Sequence, residues 1–315
     1  MERLVSLPIP TASLERYRVR LQRRNRGQFP GAHLVRRRGQ SLEFRELRPY
    51  FPGDDIRHVD WRASARHGRR SELLVRTFEL DAQTRLVISI DARDSMRLPA
   101  AAPKLQVALW LAEALAYVAM RSGDRVALHN LFTASPAAAV AELAGPASLS
   151  EIRRALRPFS RIPSQPEPLC LAPLKQALPP ASIWLIVTDL YLEPEELDRI
   201  AHRAREAQDG CRWVILVDLD SWPCERKLLG EGLRRVEGPG PQRMDPRLEV
   251  TDQAIGQVES KIGAAKAAFD RTARAGGYDR VHWEWPPAAK PSLAEFFQAR
   301  FFGDPIVQRI LMKDE

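Results

Sequence analysis

Residues 85–96 read Arg85-Leu86-Val87-Ile88-Ser89-Ile90-Asp91-Ala92-Arg93-Asp94-Ser95-Met96. A run this apolar and β-branched, yet too short for a membrane span, predicts a strand buried on both faces of a mostly parallel sheet. The run ends at Asp91, and open α/β sheets place their sites in the crevice at the carboxyl ends of central strands. We therefore expect a doubly wound α/β domain with its candidate site at Asp91.

The segments that follow alternate between helical and strand patterns, which favours the same fold class. Apolar periodicity predicts a helix over 103–121 and strands over 126–132, 182–188, 213–217 and 281–285, with an antiparallel edge strand over 138–143. We also expect a basic helix over about 11–26, a hairpin with strands near 233–236 and 248–251, a long helix capped by Asp252, and a last helix that opens at Ser292.

The residues at the end of the first strand come close to a known metal-site motif. Asp91, Arg93 and Ser95 nearly form Asp-x-Ser-x-Ser, the opening of a metal-ion-dependent adhesion site in which both serines ligate Mg²⁺. Asp189, at the end of the strand over 182–188, resembles the distal aspartate of that site. Mg²⁺ needs near-octahedral oxygen ligands, and Arg93 stands where the first serine belongs.

A guanidinium at this position would neutralise the same carboxylates that a metal neutralises. We therefore predict a degenerate, metal-independent site in which Arg93 pairs with Asp91, Asp189 or both, with weak Mg²⁺ binding at most. The alternative is that Arg93 points to solvent and the site is vestigial.

Charge is distributed unevenly along the 315-residue chain, whose formal net charge is +8. Residues 1–80 hold 18 Arg against 9 acidic residues, a net +9, and the remainder is close to neutral at −1. Such a basic N-terminal part is typical of nucleic-acid or acidic partners, and equally of a GC-rich genome.

Cysteine and histidine spacing bears on compartment and metal binding. The three Cys form no C-x-x-C, which favours free thiols in a reducing compartment, and the six His form no H-x-x-x-H, which disfavours zinc. We see no signal-peptide pattern and no apolar stretch of about 20 residues, so we expect a cytoplasmic protein without a membrane span.

The segment 39–66 carries more charged and aromatic residues than solubility requires. We select as partner-binding or structural candidates Arg48, Tyr50, Gly53, Asp54, Asp55, Arg57, Asp60, Trp61 and Arg66. Alternating acids and arginines can form a partly buried ion network, and the same residues can form a docking surface. Both interpretations stay open on the sequence.

This segment also carries a family resemblance. The stretch Leu47-Arg-Pro-Tyr-Phe-Pro-Gly-Asp-Asp-Ile-Arg-His-Val-Asp-Trp-Arg-Ala-Ser-Ala-Arg66 resembles the signature of the bacterial domain of unknown function 58 family, a variant of the von Willebrand factor A domain. The resemblance runs from about Gly39 to Phe301. It implies a von Willebrand A-like domain at 81–301 with an insert at about 221–251, preceded by the basic segment 1–80 and followed by a tail at 302–315. It also implies a MoxR-type AAA+ ATPase as partner.

Enzyme motifs are missing from the sequence. There is no Gly-x-x-x-x-Gly-Lys and no Gly-x-Ser-x-Gly, and no nucleophile accompanies the pair Asp91 and Asp189. We therefore expect a non-enzymatic interaction module, an adaptor or co-chaperone that works with the ATPase on a client protein. The alternative is a nucleic-acid-associated protein that binds through its Arg-rich N-terminal part, which the acids among the signature residues disfavour. The client and the oligomeric state stay open.

Overall fold

The computed structural model describes residues 5–19, 42–50, 56–66, 73–80, 84–146, 148–163, 165–180, 182–210, 212–229, 234–235, 249–285 and 292–313. The chain divides into two compact units, one of residues Arg24–Gln83 and one that joins Met1–Arg23 to Thr84–Glu315. This division differs from the predicted boundary at residue 80, because the first residues of the chain belong with the larger unit.

Ten α-helices and twelve β-strands follow one another in the described parts of the chain. In chain order they are α1 (Thr11–Leu14), β1 (Tyr17–Val19), β2 (Leu42–Pro49), α2 (Trp61–Arg66), β3 (Leu74–Leu80), β4 (Arg85–Ile90), α3 (Lys104–Arg121), β5 (Arg125–Asn130), β6 (Val140–Leu143), α4 (Leu149–Leu156), α5 (Leu174–Ala177), β7 (Ser182–Thr188), α6 (Pro194–Asp209), β8 (Trp213–Asp220), α7 (Trp222–Leu229), β9 (Arg234–Arg235), β10 (Glu249–Val250), α8 (Asp252–Gly276), β11 (Asp279–Glu284), α9 (Leu293–Gly303), α10 (Pro305–Ile310) and β12 (Leu311–Lys313).

Six of the strands form one sheet in the order β11-β8-β7-β4-β5-β6. Every neighbouring pair in it is parallel except β5 with the edge strand β6. The strand order reverses between β4 and β7, so the loops that follow these two strands diverge and leave a crevice. The predicted doubly wound α/β fold with a mostly parallel sheet is confirmed, and β8 extends three residues past the predicted end at Val217.

The sheet is covered on both faces, because alternate residues of its central strands point to opposite sides. Leu86 and Ile88 pack in the layer of α3, α9 and α10, whereas Val87 and Trp184 pack in the layer of α5, α6 and α8. Strands β7 and β8 are buried along their whole length, as continuous apolar runs predict.

The predicted helix over 11–26 is wrong in its described part. Helix α1 ends at Leu14, and Tyr17–Val19 forms β1, which pairs antiparallel with β12. Tyr17 and Val19 are buried while Arg18 between them is exposed, the period of two that belongs to a strand. The helix was predicted from apolar residues at Leu14, Tyr17 and Val19, a spacing too short to decide between helix and strand, and the pairing with β12 makes this segment a strand.

The C-terminal extension matches the prediction with one correction. Thr251, and not Asp252, caps α8, because its Oγ1 accepts a hydrogen bond from the N–H of Ala254. Strands β9 and β10 pair antiparallel, and residues 236–248 between them lie outside the described residues. Ser292 and Glu295 form a capping box at the start of α9. Every helix in the described residues is too short or too polar to cross a bilayer.

The smaller unit is built on the antiparallel pair of β2 and β3. Helix α2 follows Asp60, whose Oδ1 accepts from the N–H of Ala63 at 2.9 Å and so caps the helix. Ser64 fixes the helix to the neighbouring strand, since its Oγ accepts from the N–H of Leu74 at 2.8 Å.

Candidate functional site

Asp91 follows the last residue of β4 and is fully buried. Arg93 forms a bidentate ion pair with its carboxylate, with Nε 3.0 Å from Oδ1 and Nη2 2.8 Å from Oδ2. The backbone N–H of Arg93 also donates to Oδ1, and Thr188 donates its hydroxyl to Oδ2 at 3.0 Å. The predicted pairing of Arg93 with Asp91 is therefore present, and it supplies the charge-assisted bonds that a buried carboxylate requires.

The guanidinium of Arg93 is held on its other sides as well. Its Cζ lies 3.9 Å from the centroid of the Phe132 ring, and Nη1 lies 3.5 Å from Glu196 Oε2. Burial alone would lower the pKa of Arg93, but the charges of Asp91, Asp189 and Glu196 outweigh it and raise the pKa above its ordinary value. Arg93 is a fixed cation facing these acids, so the alternative of a solvent-pointing side chain is wrong.

Asp189 is paired with a residue that the sequence reasoning missed. Lys104 is fully buried at the start of α3, and its Nζ lies 3.0 Å from Asp189 Oδ2 and 2.9 Å from Glu225 Oε1. The contact with Asp189 is an ion pair whose hydrogen-bond alignment is poor, whereas the contact with Glu225 is an aligned hydrogen bond. The ammonium also lies 4.2 Å from the centroid of the Tyr191 ring.

Opposite charges set the protonation states of this pair. Burial would lower the pKa of Lys104, yet Asp189 and Glu225 raise it above the ordinary value of a lysine. Burial would raise the pKa of Asp189, yet Lys104 and Arg93 hold it below its ordinary value. Both groups are therefore charged at neutral pH. One feature of the sequence could have indicated Lys104, because a cation in the first turn of a helix opposes the helix dipole and is more stable beside an acidic residue.

The loop after β7 carries a strained residue that positions this pair. Leu190 is buried and has a φ of 59°, a left-handed conformation that a bulky residue seldom adopts. Its N–H donates to Thr188 Oγ1, and the N–H of Tyr191 donates to Asp189 Oδ1 at 3.0 Å. The turn thus aims Asp189 and the Tyr191 ring at the same ammonium.

The neighbouring strand β8 also ends in carboxylates that are paired with basic side chains. Asp218 Oδ2 lies 2.5 Å from Arg280 Nη2, and Asp220 Oδ2 lies 2.5 Å from Lys266 Nζ. Four carboxylates at the carboxyl end of the described sheet are therefore each paired with a side-chain cation. Since Asp91 and Asp189 are held in this way, the residues present do not fit the oxygen-ligand set of a Mg²⁺ adhesion site.

A cavity of 760 Å³ opens above Arg93. Its walls come from the loops after β4, β5 and β7 and from the segment before α5, and include Arg93, Ser95, Phe132, Glu167 and Glu196. Ser95 Oγ is buried and has no hydrogen-bond partner among the residues that the structure describes. The cavity occupies the crevice that the strand order predicts, so it is the natural place for a ligand or a partner segment.

A buried histidine supports the wall of this cavity. His129 Nδ1 lies 2.8 Å from Ser89 Oγ, which accepts from Trp184 Nε1, and His129 Nε2 lies 2.9 Å from the carbonyl of Cys170. Because that carbonyl can only accept, Nε2 carries the proton and the neutral ring satisfies every partner. Burial lowers the pKa of His129 to about 4.

This histidine makes stability sensitive to acid. In the unfolded chain His129 titrates at its ordinary pKa of 6.5, whereas in the folded protein it stays neutral down to about pH 4. The contribution of His129 to stability should therefore be constant above pH 6.5 and be lost as the pH drops from 6.5 to 4, by up to about 3 kcal/mol in total. Urea unfolding across this window should show a smaller acid loss for His129→Gln. The exposed His202 gives a matched control, and equal losses in wild type, His129→Gln and His202→Gln would contradict the assignment.

The signature candidates occupy the smaller unit. Arg57 and Arg66 are exposed, Trp61 is 61% exposed at the start of α2, and Tyr50 is half-buried. Arg48 lies in β2 opposite Val75, and Asp60 is the helix cap, a role that the sequence reasoning did not assign. Gly53, Asp54 and Asp55 lie outside the described residues, so the predicted ion network stays a prediction.

Comparison with known protein families covers both the signature segment and the strand-end residues. A family model described as "Protein of unknown function DUF58" matches residues 46–250, which include most of the signature segment together with Asp91, Arg93 and Asp189. No curated protein matches the chain. Among solved structures, the conserved hypothetical protein BatB from Bacteroides thetaiotaomicron is 11% identical, with 69% of this chain and 98% of that chain covered and a TM-score of 0.38.

Proposed function

The chain belongs to the DUF58 family of proteins of unknown function, and from this premise we propose that it is a non-enzymatic protein-interaction module. In this proposal it works in the cytoplasm as an adaptor or co-chaperone of a MoxR-type AAA+ ATPase, in the assembly or maturation of a client protein. We propose the ATPase as partner because the signature segment resembles the family whose members usually accompany such ATPases.

The observation that carries the proposal is the exposure of Trp61. A tryptophan of the family signature would be expected to pack into a core if its role were structural, yet 61% of it is accessible. Tryptophan and arginine are the residue types that most often dominate binding energy at protein interfaces. Arg57 and Arg66 are exposed in the same segment, so the chemistry of a docking surface is present there.

The strand-end carboxylates support a binding role over a catalytic one. Asp91 accepts four hydrogen bonds, and Asp189 is held ionised by Lys104 and Arg93. A general base needs a pKa near the working pH and a free lone pair directed at its substrate. The pairing of Asp189 pulls its pKa away from that range, while the cavity above Arg93 keeps room for a bound segment.

Replacing Trp61 with Ala should weaken binding to the ATPase by about thirtyfold or more while the melting temperature stays unchanged. Removing an exposed side chain costs less than about 0.5 kcal/mol of stability, whereas losing an interface anchor costs about 2 kcal/mol or more of binding. A pull-down of a MoxR-type AAA+ ATPase from the same genome with the full-length protein, run beside thermal melts, measures both quantities.

Leu228 provides the matched control, because it is a large apolar residue of the other unit and is 71% exposed. Leu228→Ser should bind the ATPase as the wild type does. A Trp61→Ala protein that binds normally would overturn the docking role. Salt-resistant binding of DNA by the wild type would instead favour the nucleic-acid alternative, since non-specific electrostatic contacts weaken as salt rises.

A further inference from the structure

Strands β8 and β11 place four ionisable side chains together on one side of the sheet. In their parallel register Asp218 lies opposite His282, and Asp220 lies opposite Glu284. Residues two apart on a strand point to the same face, so both pairs project from that face. Ligand atoms of Asp220, His282 and Glu284 all lie within 4.8 Å of one another.

Asp218 fixes the orientation of the His282 ring. Its Oδ2 lies 2.8 Å from His282 Nδ1, and an ionised carboxylate only accepts, so Nδ1 carries the proton of the neutral ring. The lone pair of the neutral ring is then on Nε2, which lies 4.0 Å from Glu284 Oε2. A carboxylate that orients an imidazole in this way is the usual partner of a metal-bound histidine.

We propose that His282 Nε2, Asp220 and Glu284 form a binding site for Zn²⁺ or a similar transition-metal dication. One imidazole and two carboxylates suit such ions better than Mg²⁺ or Ca²⁺, which prefer oxygen ligands alone. Zinc–ligand distances are about 2.0–2.2 Å, so the three donor atoms must move closer together when the ion binds. The side chain of Glu284 is exposed and can rotate toward the fixed His282 ring, and a fourth position stays open to water or to a donor from a partner.

Lys266 occupies the site in the absence of metal. Its Nζ pairs with Asp220 Oδ2, while Asp220 Oδ1 accepts from the N–H of Trp222. A dication and the ammonium would compete for the same oxygen, so metal binding releases Lys266 from Asp220. Arg280, which pairs with Asp218 and Asp270, adds a second positive charge nearby and makes the affinity moderate.

Spacing rules missed this site because the ligands come from two adjacent strands. H-x-x-x-H describes ligands on one helix, whereas here strand register brings Asp220 opposite Glu284, far apart along the chain. The site is separate from the cavity above Arg93, so its test is independent of the proposed interaction function.

Competition titrations of the untagged full-length protein with Zn²⁺ and a chromophoric chelator, at about pH 8 so that free histidine is neutral, test the proposal. The wild type should bind one ion through this site. Lys266→Met should tighten binding about tenfold, because it removes a competing cation worth about 1.4 kcal/mol. His282→Gln and Glu284→Gln should each weaken it by about tenfold or more, as loss of one ligand predicts.

His202→Gln is the matched control, since it removes an exposed histidine that lies near Glu206 on α6. Its Zn²⁺ affinity should equal that of the wild type. A Co²⁺-loaded sample should show d–d absorption without a thiolate charge-transfer band, which excludes the cysteines as ligands. Equal affinities for wild type, His282→Gln and Lys266→Met, or a thiolate band, would overturn the site.

Discussion

Lys104→Met should lower the free energy of unfolding by about 3–5 kcal/mol, the cost of leaving buried charges without their partner. Lys104 is fully buried, and its one ammonium serves both Asp189 and Glu225. Methionine fills a similar volume and suits a helix, so the loss comes from the stranded carboxylates. Urea unfolding near neutral pH, with a check that the m-value is unchanged, measures the effect.

Two variants make this measurement specific. Lys104→Met combined with Asp189→Asn should recover part of the loss, because the double variant removes one of the stranded charges. Lys266→Met removes a lysine from a more exposed pair with Asp220 and should cost clearly less. A Lys104→Met protein as stable as the wild type would show that Lys104 does not neutralise the site.

Arg93→Ser should lower the free energy of unfolding by about 2–4 kcal/mol, since it removes both charge-assisted bonds to the buried Asp91. The hydroxyl of Thr188 and the backbone N–H of residue 93 still donate to Asp91, so the loss should be smaller than for Lys104. The change also restores the serine of the adhesion motif. Added Mg²⁺ should rescue stability only in part, because Lys104 still occupies Asp189.

Arg93→Lys is the matched variant, because it keeps the charge and loses the two-armed geometry. Its stability should fall between those of the wild type and Arg93→Ser. Calorimetry with Mg²⁺ on the unmodified protein, and with Mn²⁺ on the His282→Gln protein, should show no binding tighter than millimolar at the site of Asp91 and Asp189. Micromolar Mg²⁺ binding there, or an Arg93→Ser protein of undiminished stability, would contradict the cation-filled site.

The parts of the structure that follow from local pattern were predictable. Strands buried on both faces appear as continuous apolar runs, which is why β4 and β7 were recognised and their order placed Asp91 and Asp189 together. The pairing of Arg93 with Asp91 spans two residues, so sequence proximity was enough to suggest it. By contrast, β1 spans three residues and exists through its pairing with β12, near the other end of the chain.

The cation at Asp189 could not be predicted from pattern. Lys104 meets Glu225 across a separation of 121 residues, and only the packed positions of α3 and α7 bring them together. The same holds for Lys266 and Asp220, which depend on how α8 packs. A lysine at a helix start is more stable beside an acid, but the fold alone specifies which acid that is.

The cations that pair with Asp91 and Asp189 differ from a bound metal ion in that they cannot dissociate. In a site whose carboxylates are neutralised by bound Mg²⁺, the charge depends on the concentration of that ion. Arg93 and Lys104 are covalent parts of the chain, so Asp91 and Asp189 keep their cationic partners whether Mg²⁺ is scarce or abundant. The supply of Mg²⁺ therefore does not control the charge beside the cavity.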